Sequence, residues 1–250
     1  MSCFLENHSQ RSDVVMRVWV NNFLLLHHNY YNVQYGLLRV TKLLFFRSLR
    51  EKFITHALES VFGVVLEALI AYGTRYGATA ETGEEIGKIL REEGFDVKVA
   101  NVKEEKIKDI SDYDLIVVGS GMQMGKWVGE AEDFLKKFRK EFENKKLALF
   151  VSTMKTVSER EGKTEDVVQS RKVALEDKVA KYGLKPIALG FFGGVIDYNK
   201  MGFVTRKGMS FVKPVLEKAG FKEVEPGVYD LRNWDEIRNW AWQLAKVAKQ

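Results

Sequence analysis

Cysteine and histidine are scarce in this sequence and confined to its first part. The 250 residues include a single cysteine, Cys3, and four histidines, all of which precede residue 65. From Val65 onward this excludes zinc sites built on these ligands, thiol redox motifs, histidine-dependent nucleophilic sites and histidine-ligated haem. Redox chemistry in that part of the chain would need a bound organic cofactor to carry the electrons. We predict no metal site and no catalytic acid or base.

Long apolar runs and basic clusters are also missing. No uninterrupted apolar stretch approaches the roughly 20 residues of a membrane-spanning helix, and no basic start precedes a single apolar core as in a signal peptide. The formal net charge of +5 is distributed along the chain, without basic runs interleaved with aromatic residues. Nucleic acid is therefore not expected as a partner. A hydrophobic content of 46% suffices for a globular core, and we predict a cytoplasmic protein.

Residues 1–64 differ in character from the rest of the chain. They hold only four acidic and seven basic residues, and their apolar clusters follow neither a strand nor a sustained helix period. Three interpretations remain: an arm that binds a membrane surface or a partner, a disordered extension, or upstream sequence translated from a misassigned start. We favour the last, because the alternating pattern begins just after Val65. Residues 65–250 are then the functional domain, and residues 1–64 are predicted to be dispensable for it.

The stretch ALIAYGTRYGATAETGEEIGKIL, residues 68–90, joins a buried strand to a helix through a turn rich in glycine and threonine. A helix start exposes unpaired N–H groups and a partial positive charge, and the hydroxyls of Thr74 and Thr79 add donors beside them. This pattern is typical of a phosphate cradle. Gly77 is not followed by the lysine of a nucleoside triphosphate loop, and a third glycine of a dinucleotide fingerprint is missing. An ordinary strand-to-helix turn is the alternative.

Strands and helices alternate from Val65 to the end of the chain. This alternation predicts a parallel sheet with helices on both faces. A final helix should begin at the cap residue Asn233, with Glu236 three positions later. The five predicted strands span residues 66–72, 95–102, 113–120, 146–153 and 185–194.

The turn after the first strand resembles the flavodoxin signature, in which an aromatic residue, a threonine, a small residue and a further threonine surround the phosphate of FMN. The resemblance implies a flavodoxin-like α/β fold with a five-stranded parallel sheet in the order 2-1-3-4-5 and FMN between strands one and three. It assigns six residues to the phosphate loop: Thr74, Arg75, Tyr76, Gly77, Ala78 and Thr79.

The loops after the third and fourth strands should then meet the flavin ring. Glycines after the third strand allow close approach of a flat ring, against which Met122, Met124 or Trp127 could pack. Arg75 and Lys126 would favour an anionic reduced flavin, or are surface charges. A glycine-rich loop with core methionines and a nicotinamide site are the alternatives. The predicted ring-binding residues are Ser120, Gly121, Met122, Gln123, Met124, Gly125, Ser152 and Thr153.

A second resemblance lies in GGVIDYNKMGFVTRKGMSFVK, residues 193–213. It is similar to the form Gly-x-x-Asp-Tyr-x-Lys-x-Gly-Phe-x-x-Arg in flavodoxin-domain proteins related to menaquinone-dependent protoporphyrinogen oxidases. The similarity extends from Leu66 to about Ala248 and implies an FMN-dependent oxidoreductase or electron carrier, with a quinone or another redox partner. Protoporphyrinogen oxidation is one candidate reaction, and a cofactor-free binding module is the alternative. The matching residues are Gly194, Asp197, Tyr198, Lys200, Gly202, Phe203 and Arg206.

The stretch from Met201 to Val215 is basic and amphipathic. At helical spacing its apolar side comprises Met201, Val204, Gly208, Phe211, Val212 and Val215, and its cations are Lys200, Arg206, Lys207 and Lys213. Such a helix can lie on an anionic membrane surface, here the inner face of the membrane. The alternative is a helix whose apolar side faces the core.

Overall fold

The structure is a computed structural model that describes residues 65–123 and 125–250. The expectations for residues 1–64 and for Met124 fall outside the described residues. In the described part, five parallel strands form the main sheet: β1 Glu67–Gly73, β2 Asp96–Asn101, β3 Leu115–Gln123, β5 Lys146–Thr153 and β6 Ala188–Gly193. The sheet order is β2-β1-β3-β5-β6, and the short β4, Lys126–Trp127, pairs antiparallel with β3. The predicted order 2-1-3-4-5 is thus confirmed for the parallel strands.

Burial explains the composition of strands β1 and β2. In the central strand β1, Ala68, Leu69, Ile70 and Ala71 are completely buried, because helices cover both faces of the sheet. The edge strand β2 instead alternates exposed and buried side chains along most of its length. The two edge strands differ, because β6 is the opposite edge and its last four residues are all buried.

Helices cover the sheet on both sides. One hydrophobic cluster joins the sheet to α1 and α8 through Ile86, Leu90, Ile237 and Leu244. A second cluster covers the other face with α2 and the segment around Leu175. The helices of the described residues are α1 Ala78–Glu92, α2 Gly129–Phe138, α3 Lys155–Arg160, α4 Thr164–Arg171, α5 Asp177–Tyr182, α6 Phe203–Gly208, α7 Val212–Lys218 and α8 Trp234–Ala248.

Two long helical segments are interrupted. The chain between α4 and α5 forms a π-helical turn over Lys172–Glu176, and α2 is followed by a 3₁₀ turn over Glu141–Asn144. A π turn widens the helix and changes the positions of its carbonyl groups. One of these carbonyls has a role in the candidate site.

A smaller unit follows the main sheet. The antiparallel strands β7, Val195–Asp197, and β8, Val228–Asp230, pair with each other, and Tyr198–Lys200 forms a 3₁₀ turn. A third hydrophobic cluster fills this unit, and its buried members include Ile196, Met201, Leu216 and Tyr229.

The prediction of one amphipathic helix over Met201–Val215 is wrong. The chain forms two short helices, α6 and α7, so the positions that share one side of a single helix are separated. Met201 and Val212 are buried in the third cluster, whereas Val204 and Phe211 are exposed. Gly208 and the break that follows it end the helical period on which the prediction relied.

No helix among residues 65–123 and 125–250 has both the length and the apolar character needed to cross a membrane.

Candidate cofactor site

The ends of three neighbouring strands bring the predicted loops together. Gly73 at the end of β1 lies beside Ser120 of β3, and Gly121 lies beside Ser152 of β5. The chain continues from β1 into α1 on one face of the sheet and from β3 towards α2 on the other. This divergence creates a crevice at the carboxyl ends of the strands, where open α/β sheets bind ligands.

The turn between β1 and α1 leaves the start of the helix without a side-chain cap. Gly77 occupies the cap position with φ 99° and ψ −24°, and no side chain bonds to the first N–H groups from that position. This left-handed conformation favours glycine. The hydroxyl of Thr74 accepts a hydrogen bond from the Gly77 N–H at 3.0 Å, which closes the turn. The first turn of α1 is therefore arranged as an anion site.

The end of β3 approaches this helix start closely. A Cβ atom on Gly121 would lie 3.2 Å from Oγ1 of Thr79, which is only 2% exposed. A side chain at position 121 would force the Thr79 hydroxyl to shift. The small residue thus keeps the predicted phosphate loop and the predicted ring loop in contact.

Two hydrogen-bonded side chains hold the loop after β3. The Ser120 hydroxyl accepts from the Val128 N–H at 3.0 Å and donates to the Gly121 carbonyl at 2.9 Å. The buried Trp127 donates from Nε1 to the Ala174 carbonyl at 2.7 Å, within the π-helical turn. Both Ser120 and Trp127 stabilise the loop after β3, and the Trp127 hydrogen bond joins this loop to the π-helical turn.

The rest of this loop is a tight hairpin. Met122 lies opposite Trp127, and Gln123 lies opposite Lys126. Gly125 has φ 73°, a left-handed conformation that few other residues adopt at a turn. The backbone of residues 121–123 therefore lies at the crevice with Met122 only half-buried.

Ser152 and Thr153 at the end of β5 differ in their bonding. The Thr153 hydroxyl donates to the Phe192 carbonyl at 3.1 Å and accepts from the Lys155 N–H at 3.0 Å. The Ser152 hydroxyl is buried and has no hydrogen-bond partner among the described residues. A buried hydroxyl without a partner is costly and uncommon in a folded protein. It is the type of group that a bound polar ligand would satisfy.

Lys200 lies beside the predicted phosphate loop, although the sequence assigned it no role in cofactor binding. Its ammonium group lies 3.9 Å from the point that a Cβ atom on Gly77 would occupy, and it pairs with Asp197 at 3.3 Å. Tyr76 of the phosphate loop packs against the third cluster, in which Met201 is buried. The unit that follows β6 therefore supplies a cation to the phosphate loop. In the sequence, position 200 belonged to the family resemblance and to the basic amphipathic stretch, and neither pattern reveals this contact.

Arg232 is a second residue that sequence reasoning missed. Its guanidinium donates to Glu81 in the first turn of α1 and to Asp230, each at 2.7 Å. Burial alone would lower the pKa of Arg232, but the hydrogen bonds to Asp230 and Glu81 outweigh that effect and raise it. Arg232 and Glu81 are 151 residues apart, so no local pattern could have paired them. The ion pair fixes α1 near the start of α8.

Lys155 is a buried cation beside the end of β5. Its ammonium group pairs with Glu159 at 2.9 Å and with Glu236 at 2.6 Å. Burial lowers the pKa of Lys155, and the hydrogen bonds to Glu236 and Glu159 outweigh burial, so the net pKa is raised. Because both carboxylates already compensate its charge, Lys155 is a structural cation.

The arrangement fits a phosphate-bearing organic cofactor. The uncapped helix start suits a phosphate group, with Lys200 and the exposed Arg75 supplying positive charge nearby. The unpartnered Ser152 hydroxyl and the glycine-lined end of β3 suit a flat polar ring that approaches the backbone. The residues present are therefore compatible with FMN.

Comparison with known families agrees with this geometry. Residues 69–222 match the flavodoxin domain family. The chain belongs to this family, and membership indicates FMN as its cofactor.

Individual relatives share only low sequence identity with this chain. The chain is 21% identical over 183 residues to protoporphyrinogen IX dehydrogenase (quinone) from Escherichia coli strain K12, an alignment that covers 73% of this chain and 96% of that protein. It is also similar to a solved flavodoxin from the domain Archaea, with 15% identity and a TM-score of 0.45, covering 74% of this chain and all of the other. Rubredoxin oxygen:oxidoreductase from Desulfovibrio gigas has 14% identity and a TM-score of 0.43, and the match covers 73% of this chain but only 36% of that protein.

Proposed function

We propose that this flavodoxin-domain protein is an FMN-dependent oxidoreductase that passes electrons from a reduced organic substrate to a quinone. The observation that carries the proposal is the convergence of an uncapped helix start at Gly77 with an unpartnered buried hydroxyl at Ser152. Similarity to the E. coli enzyme supports a quinone as the acceptor and protoporphyrinogen as the candidate substrate.

The phosphate loop binds the anionic end of the cofactor in this proposal. The N–H groups of the first turn of α1 and the Thr79 hydroxyl donate to the phosphate, while Thr74 keeps the turn closed. Arg75 and Lys200 lower the electrostatic cost of bringing an anion there. We assign Tyr76, Gly77 and Ala78 to the wall of the same loop.

The loops after β3 and β5 orient the ring. The backbone of Gly121, Met122 and Gln123 and the Ser152 hydroxyl provide polar contacts in this proposal, while Ser120 and Thr153 hold those loops in place. Gly125 permits the hairpin turn, and we keep Met124 as a predicted ring contact. Bound FMN supplies the capacity to accept and release electrons, and the chain contributes binding, orientation and electrostatics.

Two measurements test the proposal. The first is the flavin content of the full-length protein, read from its visible absorption after purification and after addition of FMN. The second is anaerobic reduction by protoporphyrinogen, followed by reoxidation with a menaquinone analogue. We expect stoichiometric FMN and quinone-dependent reoxidation.

The outcomes separate the candidate functions. A protein that binds no FMN even when FMN is supplied would be a cofactor-free binding module, and the proposal would fail. A protein that binds FMN but reacts only with one-electron acceptors would be an electron carrier, so the oxidase assignment would be wrong. A cytoplasmic location stays a prediction.

A further inference from the structure

The segment that contains α6 and the start of α7 displays large apolar side chains to solvent. Phe203 is 81% exposed, Val204 is 83% exposed and Phe211 is 68% exposed. In the described part of the chain these are the three most exposed large apolar side chains. Their grouping on one short segment indicates an interaction surface, because apolar residues scattered singly would need no such explanation.

The segment that carries the exposed side chains is anchored in the third hydrophobic cluster. Met201, Val212 and Leu216 of the same segment are buried in the third cluster. The Tyr198 hydroxyl also donates to the Met209 carbonyl at 3.2 Å, which holds the turn between α6 and α7. The apolar side chains of this segment therefore form two groups, one buried in the core and one exposed to solvent.

The charged residues within the segment that carries these side chains have one sign. Residues 198–216 include four basic residues and no acidic residue. Lys200 pairs with Asp197 and Lys213 pairs with Glu223. In the described part of the structure, Arg206 donates only to backbone carbonyls and Lys207 forms no ion pair. Among residues 65–123 and 125–250, Arg206 and Lys207 therefore have no acidic partner.

We propose that Phe203, Val204 and Phe211, together with Arg206 and Lys207, form a surface that docks on an anionic lipid bilayer. We name this set the docking surface. Aromatic and aliphatic side chains insert at the boundary between headgroups and acyl chains, while adjacent cations bind anionic headgroups. A protein partner would use about 20–30 residues on each side of a standard interface, far more than this small set.

The segment that carries the docking surface and the predicted phosphate loop pack against the same hydrophobic cluster. The third cluster supports the docking surface and also contacts Tyr76, and Lys200 links the segment to Gly77. Lipid binding itself does not rest on the proposed reaction, so each can fail without the other.

Vesicle sedimentation of the full-length protein tests the proposal. The parent chain should bind vesicles that contain phosphatidylglycerol and should bind pure phosphatidylcholine vesicles far more weakly, with binding weakened by salt. The double variant Phe203→Ser with Phe211→Ser should lose about tenfold in partitioning because its apolar groups no longer insert. The matched control is Val168→Ser, which removes another exposed apolar side chain, 62% exposed on α4, and should leave binding unchanged.

A second variant tests the contribution of positive charge separately from that of the apolar side chains. Lys207→Glu should weaken binding to anionic vesicles without affecting flavin content. Absence of parental binding to anionic vesicles would overturn the proposal. So would full binding by the double variant, because the contact would then lie elsewhere in the chain. A parent that self-associates by light scattering and binds no vesicles would assign this surface to a second copy instead.

Discussion

Two helices of equal length, α1 and α8, differ at their N-terminal ends. Each has 15 residues, and both pack in the same hydrophobic cluster. Asn233 caps α8, with its side-chain oxygen accepting from the N–H groups of Asp235 at 3.1 Å and Glu236 at 3.2 Å. Gly77 precedes α1 and offers no side-chain cap.

The two helix starts differ in whether a side chain of the protein bonds to their first N–H groups. The start of α8 satisfies its own N–H groups and has no need of a ligand, whereas the start of α1 keeps donors available. Both helices pack in the same hydrophobic cluster, and their N-terminal ends differ in the capping residue. The first three variants below each alter one helix end, and the last removes residues 1–64.

The largest expected effect comes from the start of α1. Gly77→Val combined with Thr79→Val should reduce FMN affinity by about 100-fold or more, since one charge-assisted hydrogen bond alone contributes about 1.5–3 kcal/mol. Valine also fits poorly at the positive φ of position 77 and blocks approach to the backbone. Fluorescence titration with FMN measures the loss, and far-UV circular dichroism checks that the sheet persists. Parental affinity in this variant would disprove the phosphate-loop assignment.

A third helix start, that of α2, extends the comparison to charge. Glu132 lies in its first turn. Burial raises the pKa of Glu132, but hydrogen bonds from Lys178, Tyr182 and Lys181 outweigh burial and lower the pKa to about 2. A carboxylate with a lowered pKa stabilises the fold above its unfolded pKa, and this stability is lost as the pH falls through the folded value.

Glu132→Gln should therefore cost about 2 kcal/mol near neutral pH, since one pKa unit corresponds to about 1.4 kcal/mol and solvent screens part of the interaction. The difference from the parent should shrink between about pH 5 and about pH 2. Denaturant unfolding at a series of pH values measures it. Asp133→Asn is the control, because Asp133 forms an exposed pair with Lys136 and should change stability little. A pH-independent cost at Glu132 would contradict the assignment.

The cap of α8 predicts a smaller change. Asn233→Ala should lower the free energy of unfolding by about 1 kcal/mol, the typical cost of losing such a cap. FMN affinity should stay at the parental value, because this helix end satisfies its own donors. Urea denaturation and FMN titration of the same variant separate the two quantities. A marked loss of FMN affinity would show that the two helix ends are coupled. Arg232, which bonds to Glu81 of α1 and precedes Asn233, would then be the next residue to substitute.

Removal of residues 1–64 should have the smallest effect. The five parallel strands, their covering helices and both candidate loops lie in residues 65–250. We expect a chain that starts at Val65, with an added initiating methionine, to keep its flavin content and melting temperature. An insoluble product, or one without FMN, would show that the first segment contributes to the domain. Intact-mass measurement of the native protein would test the start site independently.

Much of the fold could be predicted because local patterns report burial directly. The apolar runs of β1, β3 and β5 indicated central strands, and Asn233 indicated a helix start. The Glu236 side chain could not be placed in the same way. Three positions after the cap it could bond back to Asn233, but its carboxylate pairs with the buried Lys155 instead. A tertiary contact thus overrode the local motif.

The sequence by itself determined where the strands lie along the chain and which residue occupies the turn at Gly77, because these features depend on residues that are close along the chain. The strand order was predicted from the family resemblance. Only the tertiary structure decided that Lys200 approaches the predicted phosphate loop and that Arg232 joins α1 to β8. It also decided that the Ser152 hydroxyl has no hydrogen-bond partner among the described residues. It also decided which apolar residues of the segment 201–215 enter the core. Exposure and ion pairing depend on neighbours brought together by folding, and no spacing along the chain records them.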